Sequence, residues 1–87
     1  MKIIRIGAVW CPACLVMQKT WKKVKEEVND IEIMEYDYDM DGDIVKTYQI
    51  GTKLPVFIFI DEEIERERLI GEYSYKELMD YINKYRR

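Results

Sequence analysis

Cys11 and Cys14 are the only cysteines of the chain, and they stand in Val9-Trp10-Cys11-Pro12-Ala13-Cys14, at the junction of an apolar run and an amphipathic one. Two thiols at this spacing come within bridging reach when both lie in the first turn of a helix, where positions i and i+3 share a face. Pro12 suits the first helical position, because its fixed φ fits the helix and its missing N–H has no partner there to lose. Free N–H groups and the positive end of the helix dipole at that start favour a thiolate over a thiol. From Cys14 onward, Met17, Trp21, Val24 and Val28 recur in steps of three and four, while lysines and glutamates fill the opposite face. Cys14 therefore begins a buried seam. Cys11, one turn earlier, is expected at an exposed tip, as an attacking thiol paired with a sheltered resolving thiol.

Other uses of such a pair fit less well. Zinc and iron–sulfur sites ordinarily take four Cys or His ligands, and two cysteines without any histidine cannot close one within a single chain. Two incidental core cysteines would leave the proline and helix start between them unexplained. With 87 residues the chain has room for one domain, residues 1–87, and no second. A net charge of −3 gives no electrostatic footprint for nucleic acid. The longest apolar run, Val56 to Ile60, is far too short to span a bilayer. Met1-Lys2-Ile3-Ile4 runs straight into a strand pattern without a signal-like segment, so the expected location is cytoplasmic. In a reducing compartment a lone CxxC is a working redox pair rather than a staple, and no metal or organic cofactor is expected.

Taken in order, the apolar residues of 2–9 predict a strand covered on both faces, interrupted by Arg5. Arg5 either escapes along a sheet edge or over the surface, or lies under the cysteines and favours thiolate. A helix over 12–28 ends at Asn29-Asp30, and alternation of Met34, Tyr36 and Tyr38 with acidic residues predicts a strand over 31–38. The stretch Asp37 to Asp43 matches the first half of a D-x-D-x-D-G calcium loop, but the position of its final bidentate Glu is Tyr48. The better reading is a turn at Asp41-Gly42, with Asp43 capping a short helix whose Ile44, Val45 and Tyr48 face inward. Val56 to Ile60 predicts a central strand entered through Pro55, and 64–70, rich in Glu and Arg, a charged edge strand. Ser74-Tyr75-Lys76-Glu77 has the form of a capping box for a last helix with Tyr75, Leu78, Met79, Ile82 and Tyr85 inward. Lys84, Arg86 and Arg87 suit the dipole at its C-terminal end.

The order βαβ, α, ββ, α, with CxxC opening the first helix and Leu54-Pro55-Val56-Phe57 at the third strand, resembles the thioredoxin-like superfamily along essentially all 87 residues. The resemblance implies an α/β fold, β-α-β-α-β-β-α, with a four-stranded mixed sheet and helices on both faces. It also implies a cis bond at Leu54-Pro55. Short length and the Cys-Pro-x-Cys form look like glutaredoxin, whereas Trp10 and the Gly71 to Leu78 approach to the last helix look like thioredoxin. Where glutaredoxins hold glutathione, this chain offers Ala8-Val9-Trp10, Lys53-Leu54-Pro55 and Ile70-Gly71-Glu72-Tyr73, with Lys53 the evident carboxylate partner. Where thioredoxins carry a buried acid, six residues before the first cysteine, it has Arg5.

The expected function is thus a protein-disulfide reductase in which Cys11 attacks and Cys14 resolves. Trp10, Pro12, Ala13, Leu54 and Pro55 would line the substrate groove. Its expected partners are protein disulfides and a thioredoxin-reductase-type enzyme or glutathione as reductant, with the protein itself a monomer. The alternatives are a glutathione-dependent glutaredoxin, and a non-catalytic thioredoxin-fold module that binds a partner or bridges an iron–sulfur cluster between two subunits.

Overall fold

A computed structural model describes residues 1–86; Arg87, expected at the end of the last helix, lies outside the described residues. The elements are β1 (Lys2–Gly7), α1 (Pro12–Glu27), β2 (Glu32–Asp37), α2 (Gly42–Thr47), β3 (Val56–Asp61), β4 (Ile64–Ile70) and α3 (Tyr75–Tyr85). The strands form one mixed sheet in the order β2-β1-β3-β4, with β1 and β2 parallel and the other neighbours antiparallel. This is the α/β thioredoxin-like architecture that the sequence implies.

The two-residue period of a strand sorts β1 and β3 onto two faces. Ile3, Phe57 and Phe59 join Met17, Trp21 and Val24 of α1 and Leu78 and Ile82 of α3 in one core. Ile4, Ile6, Val56, Ile58 and Ile60 point the other way, with Ile44, Val45 and Tyr48 packed against them from α2 and its end. Because β3 is covered on both faces, Val56 to Ile60 is buried throughout, which explains its unbroken apolar run. On β4, an edge strand, Arg68 donates to Glu65 and to the Tyr48 carbonyl. The last helix starts on the expected capping box: Ser74 Oγ accepts from the Glu77 amide (3.1 Å) and Glu77 Oε1 from the Ser74 amide (3.0 Å).

Three local expectations change. The first strand stops at Gly7, two residues early, because the chain turns there and brings the Cys11 amide to the Ala8 carbonyl at 3.2 Å. Asp43 lies inside the first turn of α2, and its N-cap is Asp41, whose side chain does not cap the helix. The Asp41 carboxylate instead accepts from the Asp37 amide (2.7 Å), and Asp37 Oδ1 from the amides of Asp39 and Met40, so these aspartates build the turn. Arg5, finally, has no edge to escape along: β1 is an interior strand, and the side chain, 12% exposed, sits on the α1 side of the sheet with Glu35 on one neighbouring strand and Phe57 on the other. Arg86 likewise pairs with Asp30 at 2.8 Å, tying the end of α3 to the loop after α1.

Candidate active site

Cys11 is the N-cap of α1, with extended backbone, and Pro12 is the first helical residue. The cap needs a side-chain acceptor for an orphan N–H of the first turn, and sulfur fills that role: the Cys14 amide donates to Cys11 Sγ at 3.3 Å. Cys14, one turn on, opens the buried seam that Met17, Trp21 and Val24 continue. The two thiols are not bridged. Cys14 is buried as expected, but so is Cys11, at 6% exposure. The reason is distant in sequence. Ala8, Ala13, Tyr38 and Leu54 pack around the pair, so three separate turns of the chain close over a position that helix periodicity alone leaves at the tip. The exposed residues are its neighbours Val9, Trp10 and Pro12.

Gly7 permits the close approach beneath Cys14, since a Cβ added there would stand 3.2 Å from the Cys14 sulfur. Arg5 lies farther down the same strand. Its Nη1 donates to Glu35 Oε1, its guanidinium carbon is 4.9 Å from the Trp21 ring centre, and Lys25 of α1 reaches the same Glu35 oxygen at 3.0 Å. Arg5 and Cys14 line one cavity of about 320 Å³, together with Gly7, Glu35, Asp37, Asp41 and Pro55. Burial, followed by the hydrogen bond with Cys11, pushes the Cys14 thiol up to about 11; the charge of Arg5 opposes that rise. The hydrogen bond from Lys25, with the charges of Arg5 and Lys25, holds the Glu35 carboxyl below its usual range.

The residues expected to line a groove are brought together here. Leu54 packs against the cysteine cluster, Pro55 lines the Cys14 cavity, and the bond between them is cis. Ala13 is half-buried against the sulfurs, while Trp10 stands out at 57% exposure. Trp10 is held by two contacts that the sequence reading missed. Its indole N–H donates to Asp39 Oδ2 at 2.6 Å, and its ring meets Tyr38 edge-on. Neither partner carries a local signal, because both reach the site from the loop after β2. Lys53 is exposed beside Leu54, with no charged partner among the described residues. No group of three or more His, Cys, Asp or Glu arranged to hold a metal ion is found among the described residues.

Comparison with known proteins places this chain in a wider group. A family model described as Thioredoxin matches residues 1–84. The thioredoxin of Mycoplasma genitalium is 27% identical over 81 residues, covering 93% of this chain and 78% of its own length. Among solved structures, a thioredoxin from Nicotiana alata superposes with a TM-score of 0.91 at 23% identity, over 99% of this chain and 73% of that one. Thioredoxin 1 of Thermosipho africanus does so with a TM-score of 0.83 at 25% identity, over 98% and 93%.

Proposed function

This chain belongs to the thioredoxin family, whose trade is thiol–disulfide redox chemistry, and from that premise we propose that it reduces protein disulfides through a Cys11/Cys14 dithiol. Cys11 thiolate attacks one sulfur of the substrate disulfide, and the other sulfur departs as a thiolate that takes up a proton. A mixed disulfide then joins Cys11 to the substrate. Cys14, once deprotonated, attacks Cys11 Sγ, the mixed disulfide breaks, and the second substrate sulfur leaves. Two electrons have passed to the substrate, and the protein carries a Cys11–Cys14 disulfide.

The observation that supports these roles is the N-cap itself: Cys11 Sγ accepts the Cys14 amide at the start of α1, while Cys14 begins the core-facing stripe. Trp10, Pro12, Ala13, Leu54 and Pro55 form the rim on which a substrate strand would lie, with main-chain pairing at Leu54 and apolar contact at Trp10. Protein disulfides are accordingly the expected substrates and a thioredoxin-reductase-type enzyme the expected reductant. Lys53 is the one evident donor for a glutathione carboxylate, so turnover of a glutathione adduct should be poor beside that of insulin.

Substitution separates the two roles. Cys14→Ser should accumulate a mixed disulfide with insulin at Cys11, seen by mass spectrometry, and Cys11→Ser should form none. A Cys14→Ser protein that reduces insulin at the parent rate would remove Cys14 from the mechanism. Saturable turnover of a glutathione adduct with little on insulin would make the protein a glutaredoxin, and colour on purification would point to an iron–sulfur cluster shared between subunits.

A further inference from the structure

The resolving step requires Cys14 to lose a proton in a place that disfavours its anion. Three carboxylates line the cavity that holds it, those of Glu35, Asp37 and Asp41. Each already accepts hydrogen bonds elsewhere. Asp37 Oδ1 is committed to the amides of Asp39 and Met40, and Asp41 Oδ2 to the amide of Asp37. Glu35 is bridged by two cations, Arg5 and Lys25, which makes its carboxylate a weak base. The remaining titratable groups near Cys14 are Tyr36 on the cavity wall, and Cys11 and Tyr38 in the cluster around the sulfurs. Lys22 and Lys25 of α1 border a second cavity, of about 270 Å³, that also reaches Arg5 and Glu35.

Arg5 differs from all of these. It is the one cation among the described residues that line the cavity of Cys14, and an arginine side chain does not give up its proton. Its place is fixed from three sides, by Glu35, by the Trp21 ring and by the sheet. The trio of Arg5, Glu35 and Lys25 carries a net charge of +1, with the arginine on the buried side and Glu35 and Lys25 on the exposed side. The cavity also reaches the surface at the exposed Val9 and Gln18, and its volume admits several water molecules.

We propose that Arg5 is a positioning residue for the resolving step: it stabilises the Cys14 thiolate by its charge, so that the proton passes to cavity water instead of to a carboxylate. Glu35 sets the strength of that effect, both by holding the guanidinium in place and by partly neutralising it. The proposal rests on the dithiol reading above. Its chemistry is that of the second half-reaction: Cys14 thiolate bonds to Cys11 Sγ, the bond from Cys11 to the substrate sulfur breaks, and that sulfur carries the electron pair away.

Direct titration tests it in a Cys11→Ser background, where Cys14 is the sole thiol and thiolate absorbance follows its ionisation. Arg5→Met should lower the fraction of Cys14 thiolate about tenfold at any pH below its midpoint, the effect of about one pKa unit, and Arg5→Lys should restore most of it. Glu35→Gln should act in the opposite direction, raising that fraction about threefold, because it removes a negative charge and leaves Arg5 uncompensated. In the dithiol protein, the mixed disulfide formed with Ellman's reagent should release its second thionitrobenzoate more slowly in Arg5→Met and faster in Glu35→Gln. Unchanged Cys14 titration in Arg5→Met overturns the proposal. If that variant does not fold, Arg5→Gln takes its place: a lowered thiolate fraction there upholds the role of Arg5, and an unchanged one sinks it. Because the titration needs no turnover, failure to reduce insulin alongside an Arg5-dependent titration would remove the reductase reading and leave standing only the charge effect of Arg5 on Cys14.

Discussion

At Gly7 the absence of a side chain decides how near the first strand can come to the resolving sulfur. A methyl group at 3.2 Å from Cys14 Sγ is closer than ordinary van der Waals contact, so Gly7→Ala must displace Cys14 by a few tenths of an ångström. The expected result is a folded protein about 1 kcal/mol less stable, the lower end of overpacking costs, with a longer-lived mixed disulfide at Cys11. Urea unfolding and the thionitrobenzoate release rate check both parts, and a parent-like lifetime would show that Cys14 has room to spare. The signal was present in the sequence, since an isolated glycine in a strand pattern marks close backbone approach. Other residues gave none. Cys11 reads as exposed from helix periodicity, and only the folded chain shows Tyr38 and Leu54 covering it. A place for Arg5 beneath the cysteines is one of the options its strand position allows, but its partner Glu35 is 30 residues away and looks like any solvent-facing acid of an edge strand.

Elements whose ends are set by local chemistry were legible, and those set by competing aspartates were not. The Ser-x-x-Glu signature of α3 became a reciprocal cap, so Ser74→Ala should cost about 1 kcal/mol in thermal or urea unfolding, with α3 fraying first. Hydrogen bonds from the Ser74 amide and hydroxyl region hold the Glu77 carboxyl below its ordinary value of 4.5. The sign follows from a folded-state value lying under the unfolded one. Stabilisation by Glu77 is fully present above about pH 4.5 and is lost as the pH falls through the lower folded value, because the unfolded chain binds the proton first. Glu77→Gln should therefore flatten the acid limb of the stability curve, and an unchanged limb would mean that the cap survives protonation. For α2, six residues long, no such signature exists. Asp37 and Asp41 both bond nearby amides while Asp39 turns to the Trp10 indole, and which aspartate starts the helix depends on Asp37 being fixed at the end of β2.

For the molecule as a whole, the alternation of large side chains in β1 and β3 divides the interior into two cores, and that division could be read from period and composition. Strand order could not. The unbroken apolar run marks β3 as a central strand and the charged run marks β4 as an edge, but nothing local says that β1 lies between β2 and β3, which is what makes Arg5 an interior residue. The same arrangement separates the two tryptophans. Trp21 is fully buried, 5.0 Å from the Phe57 ring, whereas Trp10 stands exposed with its indole tied to a carboxylate. Intrinsic fluorescence should accordingly contain two colours, a blue component from the core and a redder one from the rim of the site. Iodide should quench only the red component, and Trp10→Phe should leave blue emission that iodide does not reach. Quenching that persists in that variant would mean the core tryptophan is not sheltered. With that separation in hand, one emission band follows unfolding while the other follows whatever docks beside the cysteines, in an unlabelled protein.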